Sequence, residues 1–231
     1  MGLAEAYQYP GERWLRVNFV SSADGSVTAD GLSAGLSSAG DKRVFGILRV
    51  LADVILVGAG TARAENYKPA KRRDSLAPLR AGRSPAAPIA LVTSKLDLDL
   101  SMPLFTEAAP DSRTIVITSA ASDEAKRAAT ARVADVIVAG DEAVDLGRAV
   151  QALADRGLRR VLCEGGPHLF GDLNAAGLAD ELCLSLSPTL AGPGAGRIIA
   201  GPQADARPLT LRQVIADDDG FLFLRYFAEK P

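Results

Sequence analysis

V-L-C-E-G-G-P-H-L-F-G-D-L, residues Val161–Leu173, reads as the end of a buried strand, a glycine turn and the start of a helix. The apolar run ending in Glu164 supplies the strand, and Pro167 stands where a helix tolerates proline, in its first turn. Leu169, Phe170, Leu173 and Ala176 recur on one helical face, and Gly177 supplies a stop. At such a turn successive backbone N–H groups point outward with the positive end of the helix dipole, so a phosphate docks without a basic side chain. The other reading of Gly165 and Gly166 is a tight turn and nothing more. A second strand-to-glycine turn lies upstream, where Asp53–Val57 runs directly into G-A-G-T at Gly58–Thr61. Arg63 stands where the dinucleotide fingerprint G-x-G-x-x-G has its last glycine, so a standard Rossmann turn is not supported.

Around these two turns, strand and helix patterns alternate from Trp14 to Gly177. Trp14–Ser21 reads as a buried strand running into S-S-A-D-G, with Asn18, Ser22 and Asp24 as its polar exceptions. A buried Asn on a strand is either a structural bracket or a ligand contact. Residues 29–40 are rich in Gly, Ser and Ala and suit a flexible loop over a site. Ser38 and Asp41 resemble a capping arrangement ahead of a helix carrying Val44, Ile47, Leu48 and Leu51. Arg63–Pro88 reads as a long loop, whose basic residues either meet a phosphorylated substrate or are simply solvated. Ile89–Thr93 and Thr114–Thr118 are short buried strands, both ending in Thr-Ser. Ser122 is expected to cap one helix and Asp141 to open another, with a strand at Val133–Ala139 between them.

After Gly177 the rhythm breaks. Glu181–Pro188 reads as a strand, Ala191–Gly196 as a glycine-rich loop, and Leu209–Ile215 pairs with Phe221–Phe227 across an Asp-rich turn. The pattern predicts one α/β domain over residues 1–231, with residues 1–12 as a loose N-terminal arm. Its three layers hold a mostly parallel central sheet, helices on both faces and an antiparallel C-terminal hairpin.

Of the 231 residues, 48% are hydrophobic and 23% charged, the net charge is -2, and no apolar run reaches the ~20 residues that span a bilayer. A cytoplasmic protein with no membrane or nucleic-acid partner is expected. Cys163 and Cys183 lack C-x-x-C spacing and His168 is the single histidine, so no metal site is expected and both thiols read as small buried hydrophobes.

Four motifs in order, V-N-F-V-S-S-A-D-G from Val17, V-G-A-G-T-A-R-A-E-N-Y from Val57, C-E-G-G-P-H-L-F from Cys163 and D-E-L-C-L-S-L-S-P-T-L-A-G from Asp180, resemble the riboflavin-biosynthesis pyrimidine reductases. That family has the dihydrofolate-reductase-like fold, and the likeness runs from about Arg16 to Tyr226. It implies a stand-alone, homodimeric, NADPH-dependent reductase that takes 5-amino-6-(5-phosphoribosylamino)uracil, or the substrate of the alternative deamination order, to its ribitylamino form. The resemblance places the cofactor on Gly58, Gly60, Thr61 and Glu65, on Thr93, Ser94 and Lys95, on Val138, Ala139 and Gly140, and on Gly165, Gly166, Pro167, His168 and Leu169. Lys95 is matched to the cofactor 2′-phosphate by its charge.

Reduction at C1′ of the ring-opened sugar passes through a positively charged imine, which a carboxylate would favour. Glu164 is the candidate, with Asn18 beside it; a structural carboxylate is the alternative for Glu164. Asn18, Ser22, Asp24, Arg43 and Asn66 are the candidate substrate contacts, Asp24 also being read as a turn former. Much of the family has two acidic residues at the positions of Glu65 and Asn66, so Asn66 is a departure that leaves the substrate open. Two alternatives follow: a reductase of the same fold acting on dihydrofolate or a related pterin, and a non-catalytic NADPH-binding protein.

Overall fold

The computed structural model describes residues 2–194, 196–201 and 205–229. The expected loop at 191–196 includes residue 195, which lies outside them. In chain order the regular elements are α1 (Leu3–Ala6), β1 (Trp14–Ser22), α2 (Ala39–Leu51), β2 (Val54–Gly58), α3 (Ala59–Ala64), β3 (Ile89–Val92), α4 (Pro103–Thr106) and β4 (Ile115–Thr118). Then come α5 (Glu124–Ala131), β5 (Asp135–Val138), α6 (Leu146–Asp155), β6 (Arg160–Cys163), α7 (Pro167–Ala175), β7 (Glu181–Ser187), β8 (Leu209–Ala216) and β9 (Leu222–Ala228). The nine strands form a sheet in the order β5-β4-β3-β2-β6-β1-β7-β9-β8. Pairing is parallel from β2 through β5 and between β1 and β7, and antiparallel where β9 meets β7 and β8. This is the α/β class expected, including the C-terminal hairpin.

The chain divides into two compact units, residues 49–161 and residues 1–48 with 162–231. In the first, β2 and β4 are apolar, β-branched runs buried along nearly their whole length, the composition that a strand covered on both faces requires. Asp53, just ahead of β2, accepts hydrogen bonds from the Arg160 backbone and guanidinium and from Arg83. Burial alone would raise its pKa, but the bonds from Arg160 and Arg83 outweigh burial and hold its carboxyl below the usual range. Arg80 donates to the carbonyls of Val50 and Ala52, and Arg83 to those of Leu51 and Ala52, so the two guanidinium groups satisfy the last carbonyls of α2. Arg80 is therefore buried and Arg83 half-buried against the end of α2, in contrast to a solvated or substrate-facing loop. Burial and then the neighbouring Arg83 charge push the Arg80 pKa down to about 10.

Helix starts here differ from expectation by a few residues. Asp123 caps α5, accepting from the Lys126 N–H, while Ser122 donates its hydroxyl to the Ser119 carbonyl. Asp145, four residues beyond Asp141, caps α6 through the Arg148 N–H. In both places a carboxylate accepts from the third helical N–H and complements the helix dipole.

In the second unit, buried Arg16 and Arg225 converge on buried Glu181. Arg225 also donates to the Ala6 and Gln8 carbonyls, the Arg16 guanidinium lies 4.1 Å from the Tyr9 ring centroid, and Tyr7 is buried. The N-terminal segment expected as a loose arm is thus tied down, by arginines whose partners lie far away in sequence. Residues 29–40 also differ from a flexible loop. Ala29 and Leu32 form a bridge, residues 33–36 a short 3-10 turn packed on β1, and Leu36 enters the core. Ser38 does cap α2, its hydroxyl accepting from the Asp41 N–H, while the Asp41 carboxylate takes the Ser37 hydroxyl. Both cysteines are free and buried, and burial pushes the Cys163 thiol up to about 12, which leaves it unreactive.

Candidate functional site

In the unit formed by residues 49–161, the register aligns Gly58 with Val92, Val92 with Ile117 and Thr118 with Val138. Parallel strands in this register end at one level, so their carboxyl ends form a single rim, the edge at which open α/β sheets bind ligands. That rim brings together Gly58, Gly60 and Thr61 after β2, Thr93, Ser94 and Lys95 after β3, and Val138, Ala139 and Gly140 after β5. Gly58 is the N-cap of α3 and offers no side-chain cap. A Cβ added at Gly60 would meet no atom within 4 Å, so the space above the first turn is open. Lys95 is exposed, and its carbonyl accepts a hydrogen bond from the Lys126 ammonium at 3.5 Å. Gly140 has φ +99°, and a Cβ there would lie 2.1 Å from the Ala143 carbonyl oxygen, so this glycine is demanded by its own turn.

Glu65 closes α3 as its C-cap, and Asn66 follows in the left-handed region at φ 49°. The Tyr67 N–H bonds the Ala62 carbonyl and the Asn66 N–H that of Arg63, the two bonds of a Schellman motif. Asparagine is among the few non-glycine residues that adopt this conformation readily. Its side chain is exposed.

In the other unit, Gly166 is the N-cap of α7 with Pro167 at the first helical position, and again no side chain caps the helix. The Gly165–Gly166 peptide is cis. Gly165 has φ +84°, and a Cβ on it would lie 2.7 Å from Cζ of Phe19, whose ring stacks on Phe170 with centroids 5.5 Å apart. The glycine therefore admits an aromatic ring as well as a turn, a role that sequence reasoning missed. The only trace of Phe19 in the sequence is its place inside V-N-F-V-S-S. Leu169 packs inward, whereas His168 is exposed in the first turn of α7. Gly171, also missed, accommodates the Ala200 carbonyl oxygen, 2.1 Å from where a Cβ would stand, and the Ala200 N–H bonds the Pro167 carbonyl.

Glu164 is buried at the end of β6. Asn18 is half-buried on β1, and among the described residues its side-chain amide makes no hydrogen bond. Ser22 and Asp24 brace the turn that follows β1. Ser22 donates to Asp24 and accepts from the Ser26 N–H, and Asp24 accepts from the backbone of Ala191 and Gly192. Those bonds, led by that from Ser22, lower the Asp24 carboxyl to about 2. Arg43 is exposed on α2.

The starts of α5 and α6 are closed by aspartates, while α3 and α7, which follow glycine turns, carry no side-chain cap, and neither does α4. Main-chain N–H groups at an uncapped helix start, reinforced by the dipole, suit the phosphates of a dinucleotide. Among the described residues no group of three or more His, Cys, Asp or Glu is arranged to hold a metal, and no helix is long and apolar enough to cross a membrane.

A model of the RibD C-terminal domain matches residues 13–223. The chain is 29% identical over 182 residues to 2,5-diamino-6-ribosylamino-4(3H)-pyrimidinone 5′-phosphate reductase of Archaeoglobus fulgidus, covering 78% of this chain and 82% of that protein. It is 30% identical over 176 residues to the Aquifex aeolicus protein of the same name, covering 74% and 75% of the two chains. The crystal structure of a pyrimidine reductase-like protein from Corynebacterium diphtheriae superposes with a TM-score of 0.85 at 27% identity, over 95% of this chain and 93% of that one.

Proposed function

The chain belongs to the RibD C-terminal domain family, and from that premise we propose that it is a cytoplasmic, homodimeric, NADPH-dependent reductase of a ribosylamino-pyrimidine 5′-phosphate in riboflavin biosynthesis. The names of the Archaeoglobus and Aquifex relatives favour the 2,5-diamino pyrimidinone as substrate over the uracil form. One structural observation supports cofactor binding above the others: glycine turns at Gly58 and at Gly165–Gly166 lead β2 and β6 directly into α3 and α7, and neither helix start carries a side-chain cap.

Bound NADPH would supply the hydride. The chain's own residues bind, orient and polarise. Gly58, Gly60 and Thr61 at α3, and Gly166, Pro167 and His168 at α7, would hold phosphate oxygens through main-chain donors, and Lys95 the 2′-phosphate. The amide of Asn18, with no protein partner among the described residues, would bond the polar edge of the pyrimidine. Glu164 would stabilise the positive charge that the open sugar carries at C1′. Arg43, exposed in the first half of α2, is the candidate anchor for the 5′-phosphate. Little acid-base machinery is then required, and orientation supplies most of the rate.

Parallel turnover measurements with NADPH test this reading, using the 2,5-diamino pyrimidinone phosphate, the corresponding uracil and dihydrofolate. The diamino compound is expected to be turned over fastest. Preferential oxidation of NADPH with dihydrofolate would move the chain to a pterin substrate, and no oxidation with any of the three would leave a binding protein.

A further inference from the structure

We propose that Phe19 is a positioning residue for the cofactor turn: with Phe170 it clamps Gly165 and Gly166, so that the main-chain donors opening α7 are held in one place. The role rests on the NADPH reading above and adds to it a side chain that acts through the glycine backbone. β1 lies between β6 and β7, and Phe19 stands on it one residue past Asn18, so the two side chains leave opposite faces of the sheet. Val17, on the Phe19 face, is completely buried, whereas Phe19 is half-buried. A Cβ on Gly165 would lie 2.7 Å from Cζ and 3.2 Å from Cε1 of the Phe19 ring, so the ring edge rests directly on the Gly165 backbone. The same ring stacks on buried Phe170, with centroids 5.5 Å apart and 27° between the planes. The Phe170 N–H in turn bonds the Gly166 carbonyl at 3.0 Å.

These contacts close a circuit from Gly165 through Phe19 and Phe170 back to Gly166. The Gly165 N–H is taken up by the Cys163 sulfur at 3.4 Å, so the donors left for a phosphate begin at Gly166, the N-cap of α7. A side-chain cap would hold this helix start in place, but it would also occupy the N–H groups that the ligand needs. Two aromatic rings hold the start by packing alone and leave those groups to the ligand. A smaller side chain at position 19 opens a void against Gly165, and the turn relaxes into it. Displacing a binding group by about 1 Å is enough to cost on the order of a hundredfold in rate, so a contact remote from the reacting atoms still reaches the chemistry.

Hydrogen exchange read by mass spectrometry on the peptide covering residues 164–170, beside titration with NADPH, tests the clamp on the full chain, with far-UV circular dichroism confirming that each variant is folded. Phe19→Leu and Phe170→Leu should each speed exchange in this peptide at least ~tenfold and raise the NADPH dissociation constant at least ~tenfold. The double variant should add no more than ~threefold to either single loss, because the two rings act as one device. Val17→Ala removes packing from the same face of β1, and should lower the denaturation midpoint while leaving both readouts within ~twofold of wild type. A folded Phe19→Leu protein with wild-type exchange and affinity would overturn the proposal, and equal losses in Val17→Ala would make Phe19 a packing residue only. Lost affinity with unchanged exchange would put Phe19 in direct contact with the cofactor and overturn the positioning role, and additive losses would overturn the joint action of the rings. Exchange that responds to Phe19→Leu in a chain whose wild type binds no NADPH would support the clamp and overturn the cofactor reading.

Discussion

Gly60 and Gly165 constrain the chain in opposite ways. Gly60 sits in the first turn of α3 with open space where a side chain would go, so a bulky residue costs the fold nothing but stands in the path of a docking phosphate. Gly60→Leu should leave the denaturation midpoint unchanged or raised, because glycine is the poorer helix former by ~1 kcal/mol, and should weaken NADPH at least tenfold, about 1.4 kcal/mol. Isothermal titration beside a urea melt separates the two effects. Gly165→Ala, by contrast, must force a left-handed residue against Phe19, and should lower stability by ~1–3 kcal/mol in the same melt. Glu164→Gln keeps the shape of the side chain and removes its charge. Turnover should fall at least ~tenfold while NADPH affinity holds, the pattern of an interaction made with the reacting centre; unchanged turnover would make Glu164 a structural carboxylate.

At the level of elements, the carboxylate of Asp53 joins β2, β6 and the loop carrying Arg83, and its removal takes the one carboxylate that Arg160 and Arg83 share. Asp53→Ala should cost about 3 kcal/mol near neutral pH. Because the folded state holds this carboxyl below its ordinary value, the stabilisation is complete above the unfolded value of about 3.9 and fades as pH falls through the lower folded one. The gap between wild type and Asp53→Ala in denaturant melts should therefore narrow below about pH 4, and a gap that widens there would contradict the assignment. Element existence was legible in the periodicity, since β1, β2, β7 and the β8–β9 hairpin fall within a residue or two of the predicted runs. Helix starts were less so. Ser122 and Asp123 are both cap residues by type, and only the three-dimensional course of the chain selects the aspartate. Arg80 and Arg83 looked like members of a basic loop because their partners are carbonyls about thirty residues upstream, which composition cannot reveal.

For the molecule as a whole, the sheet order and strand directions place the carboxyl ends of β2 to β5 on one rim, and that rim carries most of the residues that motif reasoning assigned to the cofactor. Those assignments were readable because backbone chemistry leaves a local mark, glycine where a strand meets a helix. Phe19 and Gly171 left no such mark, since each is defined by a residue far along the chain. Asn66 stands in the left-handed region at the end of α3, a backbone position that its sequence motif did not announce. The central claim is hydride delivery from NADPH to the sugar carbon of a ribosylamino-pyrimidine phosphate. Its most direct test is a single-turnover reaction with NADPH deuterated at the transferable position, read by mass spectrometry of the product. The account predicts a ribitylamino product carrying one deuterium at C1′; an unlabelled product, or label retained in the cofactor while substrate is consumed, would contradict it.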